Sequence, residues 1–418
     1  MHFIVKSFNF IILVIGFLAC TGNLESKVKT GIDVLIEAGF GEFKGRNIAL
    51  LTNITGKTAD GRLTAEVFSK SEGFRLVSVF TPEHGFYAKT YAGLKVNDST
   101  VFGVKAWSLY GANRKPSKEQ LAGCDAVVVD IQDIGIRSYT YFSTVFNMMS
   151  ICARLDIPVI ILDRPNPING LVVDGNVLEQ KFRSFIGIIP VTYVHGCTIG
   201  ELAFMANEEG WLDTLPGGKP AKCSLTVIKM QGWERWMRWE DTGLEWTATS
   251  PNIPTPDAVR GAAMLGIFGE LGIVGIGIGT EKPFQYFGRP GLNISRLLLN
   301  LDNEMFPGIN FGKSVVRPAG GKHKGKNFTS VALSFYPDPG FKPYTAGLRL
   351  MLAARTVNRH IFPNKGISDE QKSMFCKAAG TDSLYIAFLK RASDEFILKL
   401  AAKGAEEFKK LRVKYLLY

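Results

Sequence analysis

The sequence predicts an α/β fold: a Rossmann-like, doubly wound parallel sheet followed by a smaller α+β domain. Two observations predict the first part. Short, nearly continuous apolar runs alternate with helical stretches through the first half of the chain, as expected when helices cover both faces of a parallel sheet. Each of those runs also ends in polar residues, and such sheets place function outside the carboxyl ends of their strands. A third observation predicts the second domain: "SPNIPTP" (250–256) puts three prolines in seven residues, which suits a rigid crossing between domains.

The elements follow in order. "RNIALLTN" (46–53) is a strand, followed by a helix over about 62–71. "FRLVSVF" (74–80) and "DAVVVDIQD" (125–133) are strands, a helix spans about 140–155, and "IPVIILDRPN" (157–166) is a strand. "VTYVHG" (191–196) is read as another strand, and "TIGELAFMANEEGW" as a helix with a capping box of Thr198 and Glu201. Past the prolines come a helix near 258–268, a glycine-rich run "GIVGIGIGTEKPF" (272–284), a strand "SVALSFYPD" (330–338), and helices near 345–360 and 385–412. The expected division is a leader over 1–19, a Rossmann-like domain over 28–248 and an auxiliary domain over 249–418.

With 418 residues the chain is long enough for two cores, and 46% hydrophobic with 21% charged residues is a globular composition. The net charge of +11 is spread thinly, with no run of five basic residues, so a nucleic-acid partner is not expected. The N-terminus reads as a targeting segment: Lys6, then the apolar "FNFIILVIGFLAC" (8–20), too brief to span a bilayer comfortably. "FLAC" resembles a bacterial lipobox, in which Cys20 carries the lipid; an ordinary signal peptide is the plainer reading. Either places the mature chain outside the cytoplasm, and the first makes it membrane-anchored. The other five cysteines are odd in number and lack CxxC spacing, so buried free thiols are expected.

Several familiar chemistries fail on inspection. "TGKT" (55–58) has Leu51 where a phosphate-binding loop needs glycine. No G-x-G-x-x-G follows the first strand, and no G-x-S-x-G occurs, so neither a nicotinamide cofactor nor a serine hydrolase is expected. No cofactor of any kind is predicted. Carboxylates at strand ends remain: Glu83, Asp130, Asp133, Asp163 and Glu201. A glycosidase needs two, one to protonate the leaving oxygen and one as base or nucleophile. Around them the same rim collects Asn53, His84, Gln132, Arg137, Arg164, Asn166 and His195, with Thr280 from the glycine-rich run as a further substrate contact. Each also has a plain structural reading. Glu201 can be only half of a capping box, His195 a satisfied loop histidine, and Arg137 an ion-pair partner of Asp133. A divalent metal on His84, Asp130 and Asp133 is a competing use of the rim.

"FTPEHGF", "DIQDIGIRSYTY", "ILDRPNPINGLVVDG", "HGCTIGELA", "SPNIPTP" and "GIGTEKPF" together resemble the NamZ-type exo-β-N-acetylmuramidases, long catalogued as a domain of unknown function. The resemblance runs from about Gly31 to the C-terminus and is tightest between 80 and 290. It implies a glycosidase with its site in a cleft between a Rossmann-like and an auxiliary domain, removing N-acetylmuramic acid from non-reducing ends of peptidoglycan fragments. It also implies two catalytic glutamates: Glu83, within the family's own "EHG", and Glu201, within "TIGEL". Two departures stand out. Ile278 replaces the usual arginine before Gly-Thr, and Cys197 a commoner methionine. Glu83 is expected to act as general acid, and Arg137 or Arg164, failing those Lys282 or Arg289, to bind the lactyl carboxylate of the muramic acid. A cell-wall-binding lipoprotein without catalysis and a metal-dependent hydrolase are the alternatives.

Overall fold

The computed structural model describes residues 28–363 and 366–418. The leader and Cys20 lie outside the described residues.

The first domain is built on seven strands: β1 (Asn47–Thr52), β2 (Arg75–Thr81), β3 (Ser99–Val101), β4 (Val104–Ser108), β5 (Ala126–Asp130), β6 (Val159–Leu162) and β7 (Leu225–Ile228). They lie in the order β3-β4-β2-β1-β5-β6-β7, all parallel except the short hairpin strand β3. Without β3 this is the doubly wound order 3-2-1-4-5-6. Helices α1 (Gly31–Glu37), α2 (Thr64–Ser69), α3 (Thr140–Leu155) and α4 (Ile199–Glu208) cover its faces. The central strands are buried along almost their whole length, and β5 is buried at every residue, which is why they read as continuous apolar runs.

Helix α5 (Pro256–Leu271) opens the second domain. Thr255 caps it, its side chain accepting from the Ala258 amide, and Pro256 occupies the first turn, where a missing N–H costs nothing. Strands β8 (Tyr286–Phe287), β9 (Ile309–Val316) and β10 (Phe328–Phe335) form an antiparallel sheet in the order β8-β10-β9. It is accompanied by α6 (Ile294–Leu299), α7 (Pro343–Val357), α8 (Asp369–Ala379), α9 (Ser383–Leu389), α10 (Asp394–Ala401) and α11 (Ala405–Arg412). The C-terminus then returns to the first domain, where Phe408 is buried in the core beside α3 and α4.

Two expectations are corrected. "VTYVHG" is not a strand: it crosses outside the sheet, and Val194 makes only isolated bridges to Ile136 and Asp174. The strand that does follow β6 in the sheet is β7, a four-residue, half-exposed edge. The long helix over 385–412 is three helices, because Ser393 caps α10 and Gly404, at φ 78°, breaks the chain before α11. The thiols of Cys152, Cys197, Cys223 and Cys376 are buried and unbridged, as expected, and Cys124 is half-buried.

Candidate active site

Between the domains lies a cavity of about 520 Å³, the size of a small saccharide site. Glu83 and His84 reach it from the end of β2, and Glu270 reaches it from the last turn of α5. Leaving β2, the chain turns sharply: His84 sits at φ 71° and Gly85 at φ 73°, two left-handed residues in succession. Glycine takes this conformation freely, and histidine only under constraint. The constraint is visible. His84 Nδ1 donates to the Thr90 carbonyl at 2.6 Å, and the Thr90 amide donates back to the His84 carbonyl. Burial pushes the His84 pKa down against the opposing pull of the Glu83 charge, so the ring presents a neutral Nε2.

Glu83 is 6% exposed. Thr140, the first residue of α3, donates its hydroxyl to Glu83 Oε2 at 2.6 Å. The Tyr110 hydroxyl faces the same carboxylate, and burial together with that charge pushes the phenol up to about 12, so it stays a donor. Glu270 stands in contrasting surroundings. Its side chain makes no hydrogen bond or ion pair among the described residues, it lies near a helix C-terminus, and burial raises its pKa. Arg114 and Lys377 are the cations lining this cavity. The Arg114 guanidinium stacks over the Phe185 ring at 4.4 Å, and its carbonyl accepts from Asn147 Nδ2 at 2.9 Å, which fixes both ends of the residue.

Most of the expected rim is packed shut. Asn53 spends its side chain on Thr55 and on the Tyr141 hydroxyl. Asp130 is fully buried, paired with Arg164 and hydrogen-bonded by Thr64. Arg164 also donates to the Lys57 carbonyl at 2.6 Å. Gln132 donates to the carbonyls of Asp133 and Pro165. Asn166 bridges the Cys197 carbonyl and the Ile168 amide. Asp133 accepts from the Gly135 amide, and burial pushes it up to about 7. The clefts left beside Gln132, Arg164 and Asn166 measure about 20 Å³ and 10 Å³, room for a water and not for a sugar. These residues stand at the switch point between β1 and β5, where such sheets usually bind ligands, yet here they brace the loops.

Other assignments move as well. Arg137 does not pair with Asp133 and does not line the cavity with a free guanidinium. It donates to the carbonyls of Asn176, Val191, Ala378 and Ala379, clamping α8 to the first domain, and its burial pulls it down to about 10. His195 is buried, with Nδ1 accepting from the Cys197 amide, and burial beside Arg412 pushes it down to about 3. A shared metal site on His84, Asp130 and Asp133 is not assembled, and no group of three metal-ligating side chains occurs among the described residues. Glu201 is the largest correction. The capping box with Thr198 is present, but the carboxylate is 0% exposed, paired with Arg235 Nη1 at 2.6 Å and accepting from the Leu417 amide at 2.9 Å. It does not line the cavity that holds Glu83.

Thr280 donates to the Gly277 carbonyl and lines a second cavity, of about 300 Å³, along with Ile278. Lys282 is exposed, and Arg289 lies near His323, which lines that second cavity. Glu270, Tyr110 and Arg114 escaped the sequence reading. Glu270 sits at an unremarkable helical position, and the other two lie on a loop after β4, a strand too short and too exposed to stand out. The only signal for Glu270 was an acidic residue near the end of a helix with few charges.

Comparison with known proteins agrees with this architecture. A crystal structure of a DUF1343 family protein from Bacteroides fragilis superposes with a TM-score of 0.86 at 34% identity, covering 94% of this chain and 99% of that one. A second DUF1343 family structure from the same organism gives 0.73 at 29% identity, with the same coverage. The peptidoglycan β-N-acetylmuramidase NamZ of Bacillus subtilis is 33% identical over 396 residues, 94% of this chain and 92% of that protein. Models of the exo-β-N-acetylmuramidase NamZ N-terminal and C-terminal domains match residues 48–257 and 263–418. With two family models that together span most of its length and a NamZ relative 33% identical over 94% of it, the chain belongs to the NamZ family of exo-β-N-acetylmuramidases.

Proposed function

We propose that this chain is an exo-acting glycoside hydrolase that releases N-acetylmuramic acid from non-reducing ends of peptidoglycan fragments, with Glu83 and Glu270 as its two carboxylates. The observation that carries the reading is the interdomain cavity itself, because it holds two glutamates in opposite surroundings. Glu270 has no donors among the described residues and a pKa raised by burial, the setting of a general acid. Glu83 has hydroxyl donors from Thr140 and Tyr110, the setting of a carboxylate that acts as base or nucleophile. Glu270 gives its proton to the glycosidic oxygen as the bond to the anomeric carbon breaks. The resulting positive charge faces Glu83, which either attacks that carbon or takes a proton from the water that does. Water supplies the hydroxyl of the released sugar, and its second proton restores the acid.

Muramic acid differs from glucosamine by a lactyl ether bearing a carboxylate. Arg114 suits that group: planar, fixed by Phe185, and in the same cavity as Glu83. A lipid on Cys20 would anchor the enzyme to a membrane outside the cytoplasm; Cys20→Ala is then expected to move the protein from the membrane fraction to the soluble one.

The leaving group tests the roles. Glu270→Gln should lower kcat by about 10²- to 10⁴-fold on a sugar-linked substrate and far less on an aryl glycoside whose phenol departs without a proton. Glu83→Gln should be impaired on both. Equal losses for Glu270→Gln on the two substrates would remove Glu270 as the acid. Failure of the wild type to cleave either substrate would remove the glycosidase reading.

A further inference from the structure

The second cavity lies in the auxiliary domain, between the end of α5, the glycine-rich segment after it and the start of β10. It is not isolated. Gly266, Glu270 and Phe284 line both cavities. Phe284 is held at φ 61°, a left-handed conformation that is strained for a bulky residue. Its carbonyl packs so closely on Gly261 that a Cβ there would stand 2.2 Å away, so the surrounding structure holds the strained conformation in place. Glu270 therefore stands at the border of the two cavities.

The walls of the second cavity are chemically distinct. Phe284, Tyr286 and Phe328 give flat apolar faces of the kind sugar rings and peptide side chains pack on. His323 Nε2 and Ser330 Oγ are buried and have no hydrogen-bond partner among the described residues. Lys322 lines the same space, and burial together with the charges of Lys322, Lys326 and Arg289 holds His323 below its usual pKa. Glu281, the nearby acid, is engaged by the Tyr286 hydroxyl at 2.6 Å. Away from Glu270 the cavity is thus positive and offers unused polar groups.

We infer that this second cavity is the leaving-group subsite, and that it selects a leaving fragment carrying a carboxylate, held by Lys322 with His323 and Ser330 supplying hydrogen bonds. The inference rests on the glycosidase reading and adds the class of substrate. The hydrolase then acts on fragments whose leaving side bears acidic lactyl or peptide groups, in preference to neutral ones.

The experiment uses three substrates and the full chain. The first is an aryl muramic acid glycoside. The second is an oligosaccharide with a muramic acid end and a carboxylate on its leaving side. The third is the same oligosaccharide with that carboxylate amidated. Wild type should favour the second over the third by about tenfold in kcat/KM, about 1.4 kcal/mol. Lys322→Ala and His323→Gln should erase that preference through KM, while cleavage of the aryl glycoside stays within about twofold. Lys322 is exposed, so its variant tests the idea without a risk to folding. No preference in the wild type, or an equal loss on the aryl glycoside, would overturn the subsite while leaving the hydrolase intact. If no substrate is cleaved, calorimetry with the carboxylate-bearing leaving fragment alone decides. Binding that Lys322→Ala abolishes keeps the subsite, and no binding by the wild type removes it.

Discussion

Glu83 and Glu201 arise from the same cue, a carboxylate delivered at the carboxyl rim of one parallel sheet, and they have opposite fates. Glu83 follows β2 and opens on a cavity of about 520 Å³. Glu201 lies in the first turn of α4, beyond β6, and is enclosed. Asp163 beside it accepts from the Thr198 and Tyr418 hydroxyls and from the Gly200 amide. A Cβ on Gly200 would stand 2.9 Å from the Asp163 carboxyl carbon, so only glycine lets the helix start so close to the acid. Arg235 and the last two residues of the chain seal this half, and Arg412 ties the return to the carbonyls of Gly170 and Gly196. What separates a catalytic candidate from a structural acid here is which distant segment packs over it.

That comparison can be broken by substitution. The largest effect is expected at Glu83. If Glu83 is the base or nucleophile proposed above, Glu83→Gln should lower kcat by at least about 10²-fold with an unchanged melting temperature, since Gln keeps an acceptor for the Thr140 hydroxyl. Glu201→Gln should do the reverse. It leaves the Arg235 charge nearly buried and unpaired, at a cost of about 3–5 kcal/mol in urea unfolding, with near-normal turnover per folded molecule. A folded Glu201→Gln protein that has lost turnover would place Glu201 back in the chemistry.

Arg114→Ala should raise KM for the muramic substrate by about tenfold relative to its glucosamine counterpart, without loss of stability. Preference ratios measured on matched aryl glycosides check this, and an unchanged ratio would move lactyl recognition to Lys377.

Asp163 gives the closed half a pH signature. Burial, helped by the Glu201 charge, pushes it up to about 6 despite its three hydrogen bonds. The folded state therefore binds the proton more tightly than the unfolded chain does. The stability from that proton is full below about 4 and is lost as pH rises through about 6. His195, pushed down to about 3, acts oppositely, since unfolding lets it charge below about 6.5. The difference between wild type and Asp163→Asn isolates the aspartate, and it should change between pH 4 and 6 and be flat above 7. Tyr418→Phe should cost about 1–3 kcal/mol, because it removes the bond to Asp163 and the acceptor of the Met230 amide, with turnover unaffected.

The parallel sheet, the capping box of α4, the proline-marked start of α5 and the sharp exit of Glu83 from its strand are legible in the sequence. These are local properties: apolar runs, cap residues and a glycine read out within a few positions. The family was legible for the same reason, through motifs of a few residues in a fixed order. The tertiary structure alone decided which rim residues are free. Asn53, Gln132, Asn166 and Arg137 look like ligand contacts in sequence, and each is engaged by a group far along the chain: Asn53 by the Tyr141 hydroxyl, Gln132 by the Pro165 carbonyl, Asn166 by the Cys197 carbonyl, and Arg137 by the Ala379 carbonyl, 242 positions away. Glu270 shows the converse. Nothing near it in sequence marks it, and it becomes a candidate acid only because α5 carries it to the cavity without supplying it a cation. A carboxylate's proton affinity depends on solvent and charges within a few ångströms, and those neighbours are set by packing between segments far apart along the chain.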